Sequence, residues 1–254
     1  MAEPGQLRGT VVVLGATSAI ARAAAAEFAR AGHPLVLAAR DEGEARAVAG
    51  DLRLRYGVRA ETVWMDATDF ASHGTTMARA FGLAGAEGVD GVLLAVAGQD
   101  DPAQAARDAL LARRLIDATF TGCASLLTHA GAAMEAQGRG WICGISSVAG
   151  DRGRPSNYVY GAAKAGLTAF LEGLRGRLHP AGVRVVTVKP GFVDTRLTFG
   201  RVRSALTAEP AAVARGIRRA VEKDRGTVYL PWFWRPVMFV IRVIPGPLFK
   251  RLRL

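Results

Sequence analysis

Residues 145–170 read ISSVAGDRGRPSNYVYGAAKAGLTAF and hold two adjacent serines, Ser146 and Ser147, two tyrosines, Tyr158 and Tyr160, and Lys164. Lys164 follows Tyr160 by four residues, and positions i and i+4 share one face of an α-helix. Relative to Tyr158 that place is held by Ala162. A phenol with a pKa of about 10 is a poor acid or base at neutral pH, but a neighbouring ammonium favours phenolate and lowers that pKa. Such a pair can pass a proton to or from an alcohol oxygen. A Tyr-x-x-x-Lys by itself is a short motif and needs partners.

The elements around it supply them. After Asn157 the recurrence of Leu167, Phe170, Leu171, Leu174 and Leu178 predicts a helix that runs until His179-Pro180 stops it. Upstream, GWICGISS reads as a short apolar strand whose carboxyl end delivers Ser146 and Ser147. Ligands of open parallel sheets bind outside the carboxyl ends of the strands. Nearer the amino terminus, TVVVLGATSAIARAAAAEFARAGHPLVLAAR is a β-branched run, a glycine turn, a helix, a Gly-His-Pro break and a second apolar run, which together make a βαβ unit. Ile20, Ala24 and Phe28 mark the helix face that packs on the sheet, and Gly32 suits its carboxyl-terminal cap. The amino terminus of such a helix favours a pyrophosphate, through its free N–H groups and its dipole.

Together these motifs resemble the short-chain dehydrogenase/reductase family over nearly the whole chain. The resemblance implies an α/β fold: a single Rossmann-type, doubly wound parallel sheet flanked by helices on both faces, spanning residues 1–254 with a basic aromatic extension from about 231. In that family a serine lies thirteen residues before the catalytic tyrosine, which selects Ser147 and leaves Ser146 to strand packing. Ser147, Tyr160 and Lys164 are then the catalytic group. The family's asparagine on the preceding long helix, which holds a relay water, aligns with Thr119, whose shorter hydroxyl makes fewer hydrogen bonds. Where the family has Thr-Gly-x-x-x-Gly-x-Gly, this chain has Leu14, Gly15, Ala16, Thr17, Ser18, Ala19, Ile20 and Ala21, so only the first glycine is kept. Ala21 suits a position of helix-to-sheet packing, whereas Ala19 adds a methyl where backbone meets pyrophosphate and implies a slightly displaced cofactor.

The resemblance also assigns cofactor contacts to Gly15, Thr17, Ser18, Ala19 and Ile20, to Asp66 beside the adenine amine with Ala67 next to it, and to Ala97 and Gly98. It adds Pro190, Gly191, Val193 and Thr195 around the nicotinamide carboxamide, and Tyr160 and Lys164 themselves. The second strand ends in Ala39 and Arg40. A missing carboxylate and a guanidinium there favour NADP(H) over NAD(H), although Asp41 offers Arg40 a local partner. After the fourth strand Ala95, Val96, Ala97 and Gly98 stand where the family usually has Asn-Asn-Ala-Gly, a loop poorer in side-chain hydrogen bonds.

With 254 residues, half of them apolar, the chain suits one sizeable α/β core without repeats or linkers. The first nine residues lack a signal-peptide core. Two cysteines, Cys123 and Cys143, on expected buried elements suggest reduced thiols and a cytoplasmic protein. The histidines His33, His73, His129 and His179 show no metal spacing and read as surface or helix-end residues, so no metal is expected. The net charge of +11 is mostly arginine scattered through alanine-rich helices, a solvated face and not a nucleic-acid site, yet one that a phosphate-bearing substrate would feel.

The closing segment VYLPWFWRPVMFVIRVIPGPLFKRLRL is different, because Trp232, Phe233, Trp234, Phe239 and Phe249 alternate there with Arg235, Arg242, Lys250, Arg251 and Arg253. Broken by Arg242 and Pro245, it is too short to span a bilayer. It suits either an anionic membrane surface, at the inner face of the membrane, or packing across the substrate pocket or a subunit interface. This segment, with GATSAIA, SSVAGDRGRPSNYVYGAAKAG and VKPGFVDT, resembles the decaprenylphosphoryl-2-keto-ribose reductase subgroup and its bacterial relatives. That implies a small-molecule or lipid-linked sugar substrate, a keto-sugar on a polyprenyl phosphate. Reduction of a soluble ketone or a β-ketoacyl chain, and a non-catalytic nucleotide-binding scaffold or sensor, stay open as alternatives. The family's dimer faces fall near Leu110 to Leu127 and Ala162 to Leu178, implying a homodimer or homotetramer, and its mobile lid falls on residues 196–208.

Overall fold

The first strand dictates two layers of cover. Val11 and Val13 turn to one face, Val12 and Leu14 to the other, and all four are buried. A strand apolar on both sides belongs inside a parallel sheet with helices on each face. The computed structural model, which describes residues 9–195 and 206–252, meets that demand with seven strands and helices packed on both sides.

In chain order the elements are β1 (Thr10–Leu14), α1 (Ala19–Arg30), β2 (Leu35–Ala39), α2 (Glu42–Tyr56), β3 (Ala60–Trp64), α3 (His73–Gly82), β4 (Val89–Leu94), α4 (Pro102–Ala105), α5 (Ala109–Ile116) and α6 (Gly122–Gln137). There follow β5 (Gly140–Ile145), α7 (Tyr158–Leu178), β6 (Val183–Pro190), α8 (Pro210–Glu222), β7 (Thr227–Leu230), α9 (Trp234–Val243) and α10 (Gly246–Phe249). The sheet order is β3-β2-β1-β4-β5-β6-β7, and every adjacent pair is parallel. The chain builds outward from β1 to β3, then returns to the other side of β1 with β4. That reversal opens a crevice between the carboxyl ends of β1 and β4, where doubly wound sheets take their ligands.

Phe28 of α1, Leu52 of α2 and Ile217 of α8 pack on one face of the sheet; Met77 of α3, Leu126 of α6 and Leu171 of α7 pack on the other. Cys143 lies in the first layer and Cys123 in the second, so the sheet separates the two buried thiols. Burial pushes them up, Cys123 to about 11 and Cys143 to about 12, which keeps them protonated and unreactive. The helix ends follow local chemistry: Asp41 caps α2 by accepting from the Glu44 N–H at 2.9 Å, and Gly57 ends it with a left-handed backbone, φ 67°.

His73 begins α3, a helix-end placement as expected, and it is fully buried there, its two ring nitrogens satisfied by the Ser125 hydroxyl at 2.9 Å and the Asp66 carbonyl at 3.0 Å. One feature departs from the sequence expectation. The long helix expected ahead of β5 is interrupted between α5 and α6 by a π-helical turn at Asp117–Thr121. Such turns often occur at functional sites. Immediately after it, Gly122 touches the Ala67 carbonyl so closely that an added Cβ would stand 1.7 Å from that oxygen.

Candidate active site

Ser147 lies two residues past the end of β5 and caps the short 3-10 turn Val148–Gly150, its hydroxyl accepting from the Ala149 N–H at 3.1 Å. Two glycines let this turn lie against α7. A Cβ on Gly150 would come within 2.7 Å of the Ala165 nitrogen, and one on Gly161 within 2.8 Å of the Ala149 carbonyl. Backbone therefore meets backbone, and the Ser147 side chain comes close enough to the Tyr160 phenol to pull its pKa down. Ser146 turns the other way, donating to the Lys164 carbonyl at 2.9 Å and meeting the Thr168 hydroxyl at 2.7 Å, a packing role. Tyr158 is exposed and donates to the Ala106 carbonyl at 2.9 Å, away from the lysine.

Lys164 is buried, with 2% of its surface exposed. Its ammonium donates to the Ile145 carbonyl at 2.8 Å and to the Val96 carbonyl at 3.3 Å, and lies 5.9 Å from the centre of the Tyr160 ring. Burial pushes its pKa down to about 8. Burial also pushes the Tyr160 phenol up to about 12, and Ser147, which pulls the other way, does not offset it. The lowering expected from Lys164 therefore does not outweigh burial. The ammonium is directed at two strand-end carbonyls, while the phenol ring packs among Ala105, Leu115 and Val159.

The other end of the crevice is built from the β1–α1 turn. Gly15 has φ +83°, and a Cβ there would stand 2.7 Å from the Ala95 carbonyl, so glycine is required on both counts. Ser18 caps α1, accepting from the Ala21 N–H at 3.3 Å and donating to the Ala95 carbonyl at 3.3 Å. Thr17, Ser18, Ala19 and Ile20 are half-buried at this mouth, whereas Ala21 is fully buried on the sheet. The glycine cradle and the capped helix start fit a dinucleotide pyrophosphate.

Arg40 ends β2 with a largely exposed side chain 3.9 Å from Asp66; the local pair with Asp41 does not form, because Asp41 caps α2. Burial raises the Asp66 carboxyl, but the Thr68 N–H and hydroxyl, both at 2.8 Å, together with Arg40 and His73 hold it below its ordinary value. Ala67 beside it is buried. In the loop after β4, half-buried Ala97 precedes Gly98, whose N–H donates to the Thr119 hydroxyl at 2.9 Å. Thr119 is fully buried inside the π-helical turn, so its oxygen clamps this loop.

Pro190 closes β6, and the Gly191 N–H donates to the Leu230 carbonyl at 3.0 Å. Trp234 sits over Gly191 so tightly that a Cβ there would be 1.8 Å from the indole nitrogen. Val193 is buried and pairs with Ala208 in a parallel bridge, and Thr195 is half-buried. Most of the expected lid, residues 196–205, lies outside the described residues. Among the described residues no group of His, Cys, Asp and Glu could hold a metal ion.

Sequence reasoning missed a buried network beside the serine turn. Asp151 accepts from the Lys189 ammonium at 2.5 Å and from the Tyr229 hydroxyl at 2.8 Å, and its side chain is 2% exposed. The available signal was a lysine within the apolar run VRVVTVKP. Also missed were α8, signalled by Val213, Ile217 and Val221 at four-residue spacing, and β7.

A sequence profile of the short chain dehydrogenase family matches residues 9–204. An uncharacterized oxidoreductase of Mycobacterium tuberculosis (strain ATCC 25618 / H37Rv) is 38% identical over 242 residues, covering 95% of this chain and 96% of its own. Among solved structures, a bulky-bulky ketone specific alcohol dehydrogenase from Comamonas testosteroni superposes with a TM-score of 0.78 at 22% identity, over 95% of this chain and 96% of that one. A short-chain dehydrogenase from Sphingobium yanoikuyae in complex with NADPH gives 0.74 at 26% identity, over 94% and 97%.

The buried network yields a stability prediction. Lys189→Met leaves the Asp151 carboxylate buried without its cation and should cost about 3 kcal/mol. The double variant Asp151→Asn/Lys189→Met should recover most of that loss in urea unfolding. Equal losses for the single and double variants would show that the pair itself is not what matters.

Proposed function

The chain belongs to the short-chain dehydrogenase family and is an oxidoreductase, and from that premise we propose that it reduces a ketone to a secondary alcohol with NADPH. The observation that carries this reading is Ser147 set close enough to the Tyr160 phenol to act on its pKa, with the Lys164 ammonium one turn further along α7. The nicotinamide cofactor, when bound, supplies the hydride for the carbonyl carbon. Tyr160 gives the proton to the carbonyl oxygen; its half-buried phenol, held up to about 12, stays protonated through the neutral range, which is the form a general acid needs. Ser147 donates a hydrogen bond to the same oxygen as negative charge develops there. Lys164, charged below about pH 8, lies near enough to stabilise the phenolate that remains.

The preference for NADPH rests on Ala39, which brings no carboxylate to the end of β2, and on Arg40 beside it. An exposed ion pair is worth little, so Arg40 can leave Asp66 for a 2′-phosphate at small cost. The NADPH complex of the Sphingobium relative agrees with this choice. For the substrate we favour a keto-sugar carried on a polyprenyl phosphate, on the resemblance of SSVAGDRGRPSNYVYGAAKAG, VKPGFVDT and the closing segment to reductases of that kind.

Three measurements test the reading. In NADPH-dependent reduction of a ketone panel that includes lipid-linked keto-sugars, Tyr160→Phe should lose roughly 100-fold or more in turnover while still binding NADPH. Tyr158→Phe should keep most activity, and substantial turnover by Tyr160→Phe would sink the assignment. In fluorescence titrations NADPH should bind more tightly than NADH, and Arg40→Ala should weaken NADPH roughly tenfold, the worth of one charge-assisted contact, while leaving NADH nearly unchanged; equal losses for both would remove Arg40 from the 2′-phosphate. The pH dependence has a definite sign. Reduction should decline above about pH 8 as Lys164 loses its proton, and alcohol oxidation, which needs the phenolate of a group near 12, should keep rising through the alkaline range. An oxidation rate already level at pH 7 would contradict the raised phenol.

A further inference from the structure

The segment after β7 has two apolar faces, and only one of them packs on the described residues. On the inner side Trp234 and Met238, one turn apart in α9, are buried against Val148, with Phe192, Tyr229 and Ile241 packed around them. Arg152 fastens the far end, donating to the Ile241 carbonyl and to the Arg242 carbonyl at 3.1 Å, with its guanidinium 3.7 Å from the centre of the Phe249 ring. The outer side is also apolar: Phe239, Val240 and Val243 are 68%, 57% and 61% exposed, and Trp232 just before the helix is 76% exposed. Of the thirteen exposed large hydrophobic residues among the described residues, seven fall between Trp232 and Leu252, so this is a patch and not a scatter.

Charge identifies what covers it. Arg235 and Arg242, seven residues apart, flank the outer apolar face along one side of α9, and Lys250 and Arg251 follow α10; all four are exposed. No aspartate or glutamate occurs after Asp224. A second copy docking through the same patch would set these cations against themselves, since a two-fold interface meets its own surface and like charges there are costly. An apolar helix face edged by cations with an exposed tryptophan matches the boundary of an anionic bilayer. No helix among the described residues is long and apolar enough to cross a membrane, so the contact is in-plane.

We propose that the outer face of α9, with Trp232 and the cations of α10, docks on an anionic lipid surface. Docking there fixes the active-site crevice relative to the membrane, because the inner face of the same helix packs over Gly191 and beside Ser147 through Val148. The proposal stands on the surface itself and needs no particular ketone, and its test needs no turnover.

The full chain is sedimented with vesicles of phosphatidylcholine alone and of phosphatidylcholine with phosphatidylglycerol. It should bind the anionic vesicles, bind the neutral ones weakly, and release as salt rises. Phe239→Glu/Val243→Glu and, separately, Arg235→Gln/Arg242→Gln should each weaken binding roughly tenfold or more. Both pairs are exposed, so thermal unfolding should match the parent chain; if the acidic pair fails to fold, the arginine pair carries the test. Absence of binding to anionic vesicles would overturn the proposal, as would binding that neither variant weakens. A dimer that Phe239→Glu/Val243→Glu dissociates, without vesicle binding by the parent, would assign the face to a second copy.

Discussion

A buried ammonium organises this molecule. Removing a lysine charge from water costs several kcal/mol unless its hydrogen bonds are replaced, and Lys164 replaces them with the carbonyls of Ile145 and Val96. Those oxygens belong to the last residue of β5 and to the loop just after β4, and the lysine is carried by α7. One side chain therefore ties two strand ends to a helix at the mouth of the crevice. The tie reaches further, because the Val96 loop continues into Gly98, whose N–H is held by Thr119 in the π-helical turn. Hydrophobic residues of similar volume would fill the same space at no electrostatic cost, so stability alone does not explain the charge, and the proposed proton chemistry would.

Close backbone approach is the second constraint, and it explains which family glycines this chain kept. Gly15 faces the Ala95 carbonyl with a left-handed backbone and has no substitute. The two later glycines of the pattern are alanines here, and the structure shows why one is harmless: Ala21 is buried against the sheet, where a methyl packs. Ala19 begins α1 half-buried at the mouth, the position at which the family pattern has its second glycine. Further glycines do the same work elsewhere. Gly150 and Gly161 bring the serine turn onto α7, and Gly191 makes room for Trp234.

The sheet was legible because its strands are β-branched runs ended by turn residues, and the site was legible because Ser147, Tyr160 and Lys164 sit at fixed distances along the chain. What could not be read depends on residues that meet only after folding. The Tyr160 phenol is raised by burial, and its ring packs against Ala105 and Leu115, which are distant in sequence. Asp151 finds Lys189 and Tyr229 across 38 and 78 residues, and no local pattern announces such a partnership. His73 has the sequence signature of a helix start, yet it is buried because Asp66 and Ser125 happen to satisfy both its nitrogens. Spacing reports which residues share a face; it does not report how dry that face will be.

Dryness also sets the direction of the proton chemistry. Burial acts in opposite senses on the two members of the pair, raising the phenol and lowering the ammonium, so both move toward their neutral forms. In the proposed reduction, a protonated phenol beside a still-charged lysine would donate a proton and then tolerate the phenolate left behind. The reverse reaction must first remove a proton from a group held near 12. The closing segment packs beside this pair, its Trp234 covering Gly191 and its inner face lying on Val148 next to Ser147. Whatever meets the outer face of α9 thus bears on a helix that is already part of the wall of the site, and substrate access and surface contact are two consequences of one packed element.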